Sequence, residues 1–152
     1  MIIFREANAD DLPVLVKMLS DDQLGSQREN YSLPLDECYE QAFQIINSDP
    51  NNELVVVEYK NQIAGMLQLT FIPYLTYKGS WRCLIEGVRI QQNFRGQGLG
   101  TRLFEWAIDR AESRNCAMVQ LTSNKQRSSA IKFYKQFGFE ASHEGFKLYL
   151  SD

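Results

Sequence analysis

Gln91-Gln92-Asn93-Phe94-Arg95-Gly96-Gln97-Gly98-Leu99-Gly100-Thr101 joins an apolar run, residues 84–90, to a run with helical spacing, residues 99–111. A strand that turns through closely spaced glycines into a helix is a way to hold phosphate. Glycine lets the backbone come close to a ligand, and the first helical turn offers N–H groups that have no internal partner. Arg95 adds a permanent positive charge at the same point.

Upstream of this stretch, residues 2–6 read as a short strand. Asn8 or Asp10 caps a helix running to about Leu19, with Leu12, Leu15, Val16 and Leu19 on one face. Residues 20–33 are a loop by composition. Pro34 suits the first turn of a second helix, with Tyr39, Ala42, Phe43 and Ile46 as its apolar face. Asp49-Pro50-Asn51-Asn52 is a breaker. Residues 53–59 and 63–72 then read as strands about a Lys60-Asn61-Gln62 turn. A second turn, residues 73–80, carries Tyr74 and Tyr77 and leads into a strand over residues 81–90.

Downstream, residues 98–114 form a helix with Leu99, Leu103, Trp106, Ala107 and Ala111 at helical spacing. A buried-type strand over 117–121 follows, then a helix over 128–137 stopped by Gly138. Two short strands close the chain, around 139–141 and 146–150. The expectation is one mixed α/β domain over residues 1–152, built on a central sheet.

With 152 residues, 44% of them hydrophobic and 23% charged, the chain has the makings of an ordinary globular core. Its net charge of -3 and pI near 5.2 argue against a nucleic-acid binder, which usually shows a basic face. Cys38, Cys83 and Cys116 form no C-x-x-C pair, and His143 is the single histidine, so neither a zinc site nor another metal is expected. The start of the chain lacks the pattern of a signal peptide and no apolar run is long enough to span a bilayer. The expected location is the cytoplasm, with no membrane partner.

Three readings of the glycine loop compete. A nucleotide-hydrolysing P-loop ends Gly-Lys-Ser/Thr, whereas Gly100 is followed by Thr101-Arg102. A dinucleotide fingerprint is G-x-G-x-x-G inside an N-terminal βαβ unit; here the spacing is Gly96-x-Gly98-x-Gly100, after an antiparallel-looking meander. The third reading is Arg/Gln-x-x-Gly-x-Gly, carried by Arg95, Gly98 and Gly100.

Through that third pattern the sequence resembles the GNAT superfamily of acetyl-CoA-dependent N-acetyltransferases. Ile85-Glu86-Gly87-Val88-Arg89-Ile90 looks like the family's preceding strand. Leu121-Thr122-Ser123-Asn124 and Ala130-Ile131-Lys132-Phe133-Tyr134-Lys135-Gln136-Phe137-Gly138-Phe139 look like its later strand, helix and Gly-Phe ending. The likeness covers nearly the whole chain and is weakest over residues 20–50.

The resemblance implies a GNAT-type acyl-CoA N-acyltransferase fold: a central, mixed, mostly antiparallel sheet with two splayed parallel strands, flanked by helices. Acetyl-CoA is the implied co-substrate. Its pantetheine arm would run along the backbone of Val88, Arg89 and Ile90, in the manner of an added strand. Its pyrophosphate would face the N–H groups of Gly96, Gln97, Gly98, Leu99, Gly100 and Thr101. Arg95, Asn124 and Arg127 stand at further cofactor-side positions, although Arg127 departs from the asparagine that many members carry. Tyr134 occupies the place of the general-acid tyrosine.

Glu86 is the first candidate for the base. It sits in an otherwise apolar strand, and simple alternation places it on one face with Val88 and Ile90. Asp21, Asp22 and Glu29 in the variable loop are the alternatives. An amine with a pKa of about 10.4 needs roughly 4.6 kcal/mol to present its free base at pH 7, so a proton acceptor is required. The implied acceptor is a small-molecule primary amine. The acceptor regions carry Asp21, Asp22, Arg28, Glu29, Tyr31, Tyr74, Tyr77 and His143, whose acidic and aromatic members suit such a cation. An anionic acceptor should show convergent Arg or Lys, for which only Arg28, Lys78, Arg82 and Arg89 are candidates. The 130–134 stretch with Ser142-His143 also looks like the small-amine branch that contains aminoalkylphosphonate acetyltransferases. A protein acetyltransferase and a non-catalytic acyl-CoA-binding sensor are the rival readings. Family members pair through sheet edges or last strands, so Tyr74, Tyr77 and Trp81 serve either a homodimer or the acceptor site.

Overall fold

Val55, Val56 and Val57 are all fully buried. Consecutive buried positions mean that the strand carrying them, β2 (Asn52–Tyr59), is covered on both faces. In the computed structural model, which describes residues 1–151, β2 lies between β1 (Ile2–Glu6) and β3 (Gln62–Pro73), antiparallel to both. β4 (Trp81–Ile90) continues the antiparallel meander, and β5 (Cys116–Gln120) pairs parallel to β4, giving the sheet order β1-β2-β3-β4-β5. The expected mixed, mostly antiparallel sheet flanked by helices is therefore present. The chain divides into two compact units between Gln120 and Leu121, and each is described by itself.

In the first unit, Asn8 begins the helical layer with a capping box. Its side chain accepts from Asp10 N at 3.0 Å, while Asp11 Oδ2 accepts from Asn8 N at 2.8 Å. Asp11 also receives two hydrogen bonds from Arg5, at 2.7 and 3.1 Å. Burial alone would raise this carboxyl; Arg5 and the Asn8 N–H outweigh it and hold the pKa below the usual carboxylate range. Helix α1 (Leu12–Leu19) follows and places Leu15 and Met18 against Val56 and Met66.

Two expectations need correction here. Residues 20–33 are not wholly a loop: α2 (Gln23–Arg28) forms because Asp22 caps it, its Oδ1 accepting from Gly25 N at 2.6 Å. The next helix does not begin at Pro34. Asp36 is the cap, and α3 runs Glu37–Ser48. Its Phe43 is only half-buried but joins the α1 core.

Lys60 and Asn61, at φ 53° and 60°, make the tight β2–β3 turn that the sequence predicts. The β3–β4 connection holds a single helical turn, α4 (Thr76–Gly79), in which Tyr77 and Lys78 are left-handed. Helix α5 (Leu99–Ser113) buries Leu103, Phe104, Ala107 and Ala111, and Trp106 stacks on Phe4 with ring centroids 5.7 Å apart.

The far end of α5 is tied to β2 by charge. Arg110 Nε donates to Glu53 at 2.9 and 3.1 Å, and Glu53 is 7% exposed. Arg110→Ala leaves that buried carboxylate with only Arg114 Nη1, 4.0 Å away, and a loss of up to about 3 kcal/mol is expected. Urea denaturation checks it: adding Glu53→Gln to Arg110→Ala should recover part of the loss. A double variant as unstable as the single one would place the effect in lost packing instead.

In the second unit, α6 (Ser128–Phe137) ends at Gly138, whose φ of 114° suits the left-handed cap. The strands expected at 139–141 and 146–150 are absent: no described residue beyond Gln120 pairs in a ladder. Phe146, Leu148 and Leu150 alternate as a strand would, yet they are more than 80% exposed. Alternation gives a segment the means to pair, but an isolated pair of short strands is marginal on its own.

Candidate active site

The site grows from an irregularity in β4. Gln68 pairs with Glu86 and Met66 with Arg89, so Gly87 and Val88 together face the one intervening residue of β3. This is a β-bulge, and Gly87 takes a φ of +64° that a side chain would resist. The extra residue inverts the alternation. Glu86 therefore shares its face with Arg89, and Ile90 turns to the other side, where it packs against the Ala64–Phe94–Leu99 cluster. Simple spacing had put Glu86, Val88 and Ile90 together; the bulge is the physical reason that it fails.

Arg82, Leu84 and Glu86 lie on the same face, opposite Ile72, Thr70 and Gln68. α1 reaches the bulge, since a methyl built on Gly87 would come 3.9 Å from Leu19 Cδ2. Glu86 is exposed. A methyl at Gly65 would lie 2.8 Å from the Arg89 carbonyl oxygen, so glycine there is what allows the end of β4 to sit so close to β3.

The parallel pairing of β4 with β5 runs from Trp81 opposite Cys116 to Leu84 opposite Gln120 and stops there. β4 continues to Ile90, leaving residues 85–90 unpaired on the side of β5. Two carbonyls near its end are capped by side chains: Arg89 Nη1 donates to Val88 O at 2.8 Å, and Arg95 Nε to Ile90 O at 3.1 Å. Gln91, which the sequence did not single out, anchors the exit of the strand by donating to Ile63 O at 2.9 Å from its side chain and to Ala64 O at 2.7 Å from its backbone.

A short 3₁₀ turn, Gln92–Phe94, then buries Phe94, and the glycine loop begins. Gly96 and Gly98 have φ of 78° and 80°, and Gly98 is the N-cap of α5 with no side-chain cap. No described hydrogen bond takes the N–H of residues 96–101. A methyl added at Gly96 or Gly98 would meet nothing within 4 Å, so the conformation, not crowding, requires glycine. Six N–H groups thus remain for a ligand on an open surface, beside an arginine whose terminal nitrogens make no described contact. This fits the diphosphate of a coenzyme A.

In the second unit, Asn124 folds back, its Oδ1 accepting from Gln126 N at 2.9 Å and its carbonyl from Arg127 N at 2.9 Å. Arg127 precedes the first turn of α6, and its carbonyl accepts from Ala130 and Ile131. Tyr134 is half-buried on α6, its ring edge-on to Phe133 and Phe139 at 5.7 and 6.1 Å. His143 is exposed, with Nδ1 2.7 Å from Ser142 Oγ. Of the loop carboxylates, Asp22 is occupied in capping α2, and Glu29 accepts from Tyr39 Oη at 3.0 Å.

Burial pushes the Cys83 thiol up to about 12, and Cys116 is raised for the same reason. Partial desolvation and the Asp36 carboxylate raise the exposed Cys38 thiol above its ordinary value. A thiol reagent at pH 8 is still expected to modify Cys38 well ahead of Cys83, which reacts only on unfolding. Fast loss of the Cys83 thiol in the native protein would contradict the packing described. Among the described residues no group of three His, Cys, Asp or Glu is arranged to hold a metal ion.

Comparison with known proteins agrees with this geometry. The sequence profile of the acetyltransferase (GNAT) family matches residues 17–139. An aminoalkylphosphonate N-acetyltransferase of Salmonella typhimurium is 26% identical over 95 residues, 62% of this chain and 61% of that one. The chain thus spans about three fifths of that relative's length. A solved structure described as a transcriptional regulator from Bacillus halodurans C-125 is 53% identical, with a TM-score of 0.95 over 99% of this chain and 100% of the other. Another, described as a predicted acetyltransferase with acetyl-CoA from Clostridium acetobutylicum, is 24% identical with a TM-score of 0.74, covering 99% and 97%. At that identity the likeness speaks for the fold.

Proposed function

The chain belongs to the acetyltransferase (GNAT) family, and on that premise we propose that it moves an acetyl group from acetyl-CoA to a primary amine of a small molecule, as one domain. The observation that carries this reading is the run of N–H groups at residues 96–101, left without partners directly after a strand whose edge is unpaired beyond Leu84. Bound there, acetyl-CoA supplies the thioester from which the acetyl group leaves.

The residues divide the work. Gly96, Gln97, Gly98, Leu99, Gly100 and Thr101 hold the diphosphate through backbone N–H groups, with Arg95 beside them. Val88, Arg89 and Ile90 line the pantetheine arm, whose amides replace the guanidinium groups now on the Val88 and Ile90 carbonyls. Asn124 and Arg127 are assigned to the cofactor by the family likeness alone. Glu86, exposed on the α1 face, takes the proton from the attacking amine, directly or through water. The amine nitrogen forms its bond to the acetyl carbon as the carbon–sulfur bond breaks, and Tyr134 gives a proton to the departing thiolate.

A non-catalytic acyl-CoA-binding module is the second reading, favoured by the description of the 53% identical chain as a transcriptional regulator. Glu86 and Tyr134 weigh against it, since binding alone needs neither a base nor an acid. Calorimetric titration with acetyl-CoA tests the shared premise. Gly98→Val forces a β-branched residue into φ 80° and is expected to weaken binding at least about tenfold. Unchanged affinity would remove the loop from the site.

A further inference from the structure

Arg82 is a half-buried cation with no carboxylate within 4 Å among the described residues. Arg5, Arg110 and Arg114, by contrast, each stand within 4.0 Å of one. Arg82 instead lies between two tyrosine rings, 4.1 Å from the Tyr74 centroid and 5.1 Å from that of Tyr77. Its Nη1 donates to Gln120 Oε1 at 3.1 Å, and its Nη2 is 3.5 Å from Thr76 Oγ1 on the exposed side. Its buried Nε has no hydrogen-bond partner, and neither does the nearby buried Ser80 Oγ. A charge withdrawn from water without a countercharge is unfavourable, and aromatic faces offset only part of that.

The register gives this cation a direction. Arg82 and Glu86 are on one face of β4, four residues and about 13 Å of rise apart. Gln120, which holds Nη1, stands opposite Leu84, between the two. We propose that Arg82 is the anchor for an anionic group on the acceptor, so that the substrate is a primary amine carrying a carboxylate, phosphate or phosphonate a few bonds away. The amine end lies toward Glu86. The anion takes the Nη2 side of the guanidinium and supplies the missing countercharge, and Tyr74 and Tyr77 hold the fork in place. This rests on the proposed acetyl transfer for the role of Glu86, but binding of the anion does not depend on turnover.

The test pairs kinetics with direct binding. β-Alanine and O-phosphoethanolamine serve as anionic amines and propylamine as the matched amine without an anion. Arg82→Gln should raise KM for the anionic amines about 10–100-fold more than for propylamine, with the smaller change in kcat, and Arg82→Lys should restore part of the difference. A larger effect on O-phosphoethanolamine than on β-alanine identifies the phosphate class. Calorimetric titration of wild type and Arg82→Gln with both anionic amines provides the second readout. Loss of their binding in the variant supports the anchor even when no amine is acetylated, an outcome that would overturn the proposed reaction alone. Equal losses for all three amines, or anionic amines that bind wild type and variant alike, or that bind neither, overturn the anchor and leave the reaction standing.

Discussion

Glu86→Gln is expected to lower kcat/KM for a primary amine by about 10²–10⁴-fold at pH 7, the usual contribution of a positioned base. The amide keeps the size of the side chain and its place opposite Gln68, so neither the bulge nor the sheet should suffer. What disappears is the acceptor for the ammonium proton. The sign of the pH dependence follows. As pH rises toward the amine's own pKa, near 10.4 for an alkyl amine, free base becomes available without help. The ratio of wild-type to variant rates should therefore shrink with increasing pH. A constant ratio across pH 6–10 would mean that Glu86 positions the amine without accepting its proton, and an unchanged rate would pass the role to a loop carboxylate. Asp21 or Glu29 would then be next, since Asp22 is engaged as a helix cap.

Tyr134→Phe removes one hydroxyl from a ring already packed between Phe133 and Phe139. The loss in kcat should be about 10²-fold or more, with acetyl-CoA affinity nearly intact, because a proton donor to a leaving thiolate acts in the transition state. Single-turnover kinetics beside calorimetry separates the two quantities. Equal losses in binding and turnover would make Tyr134 a structural contact of α6, and an unchanged rate would remove it from the mechanism.

Several features were readable in the chain because they depend on local chemistry. Gly138 announces a helix stop by being glycine, Lys60-Asn61 a tight turn, and of the two expected caps, Asn8 and Asp10, it is Asn8 that closes the box. The bulge was harder. A glycine inside a strand hints at one, but which β3 residue faces the inserted pair depends on register, and that decides which side chains accompany Glu86. Helix α2 hid in a polar stretch because it is held by the Asp22 cap and has little apolar face. The Arg82 arrangement was invisible for a related reason: Tyr74, Tyr77 and Gln120 reach it only through the β3–β4 turn and the parallel pairing with β5. The alternation at residues 146–150 shows the converse, since a strand-like pattern of side chains is not in itself a ladder.

The central claim is the transfer itself. Purified protein mixed with acetyl-CoA and a panel of polyamines, amino acids, aminophosphates and lysine peptides, followed by thiol release and by mass analysis of the amine, tests it most directly. Amine-dependent release of coenzyme A, matched by an acetylated small molecule and lost together in Glu86→Gln, is the expected result. Tight binding of acetyl-CoA with no acetylated product from any amine would contradict it and favour the sensor reading.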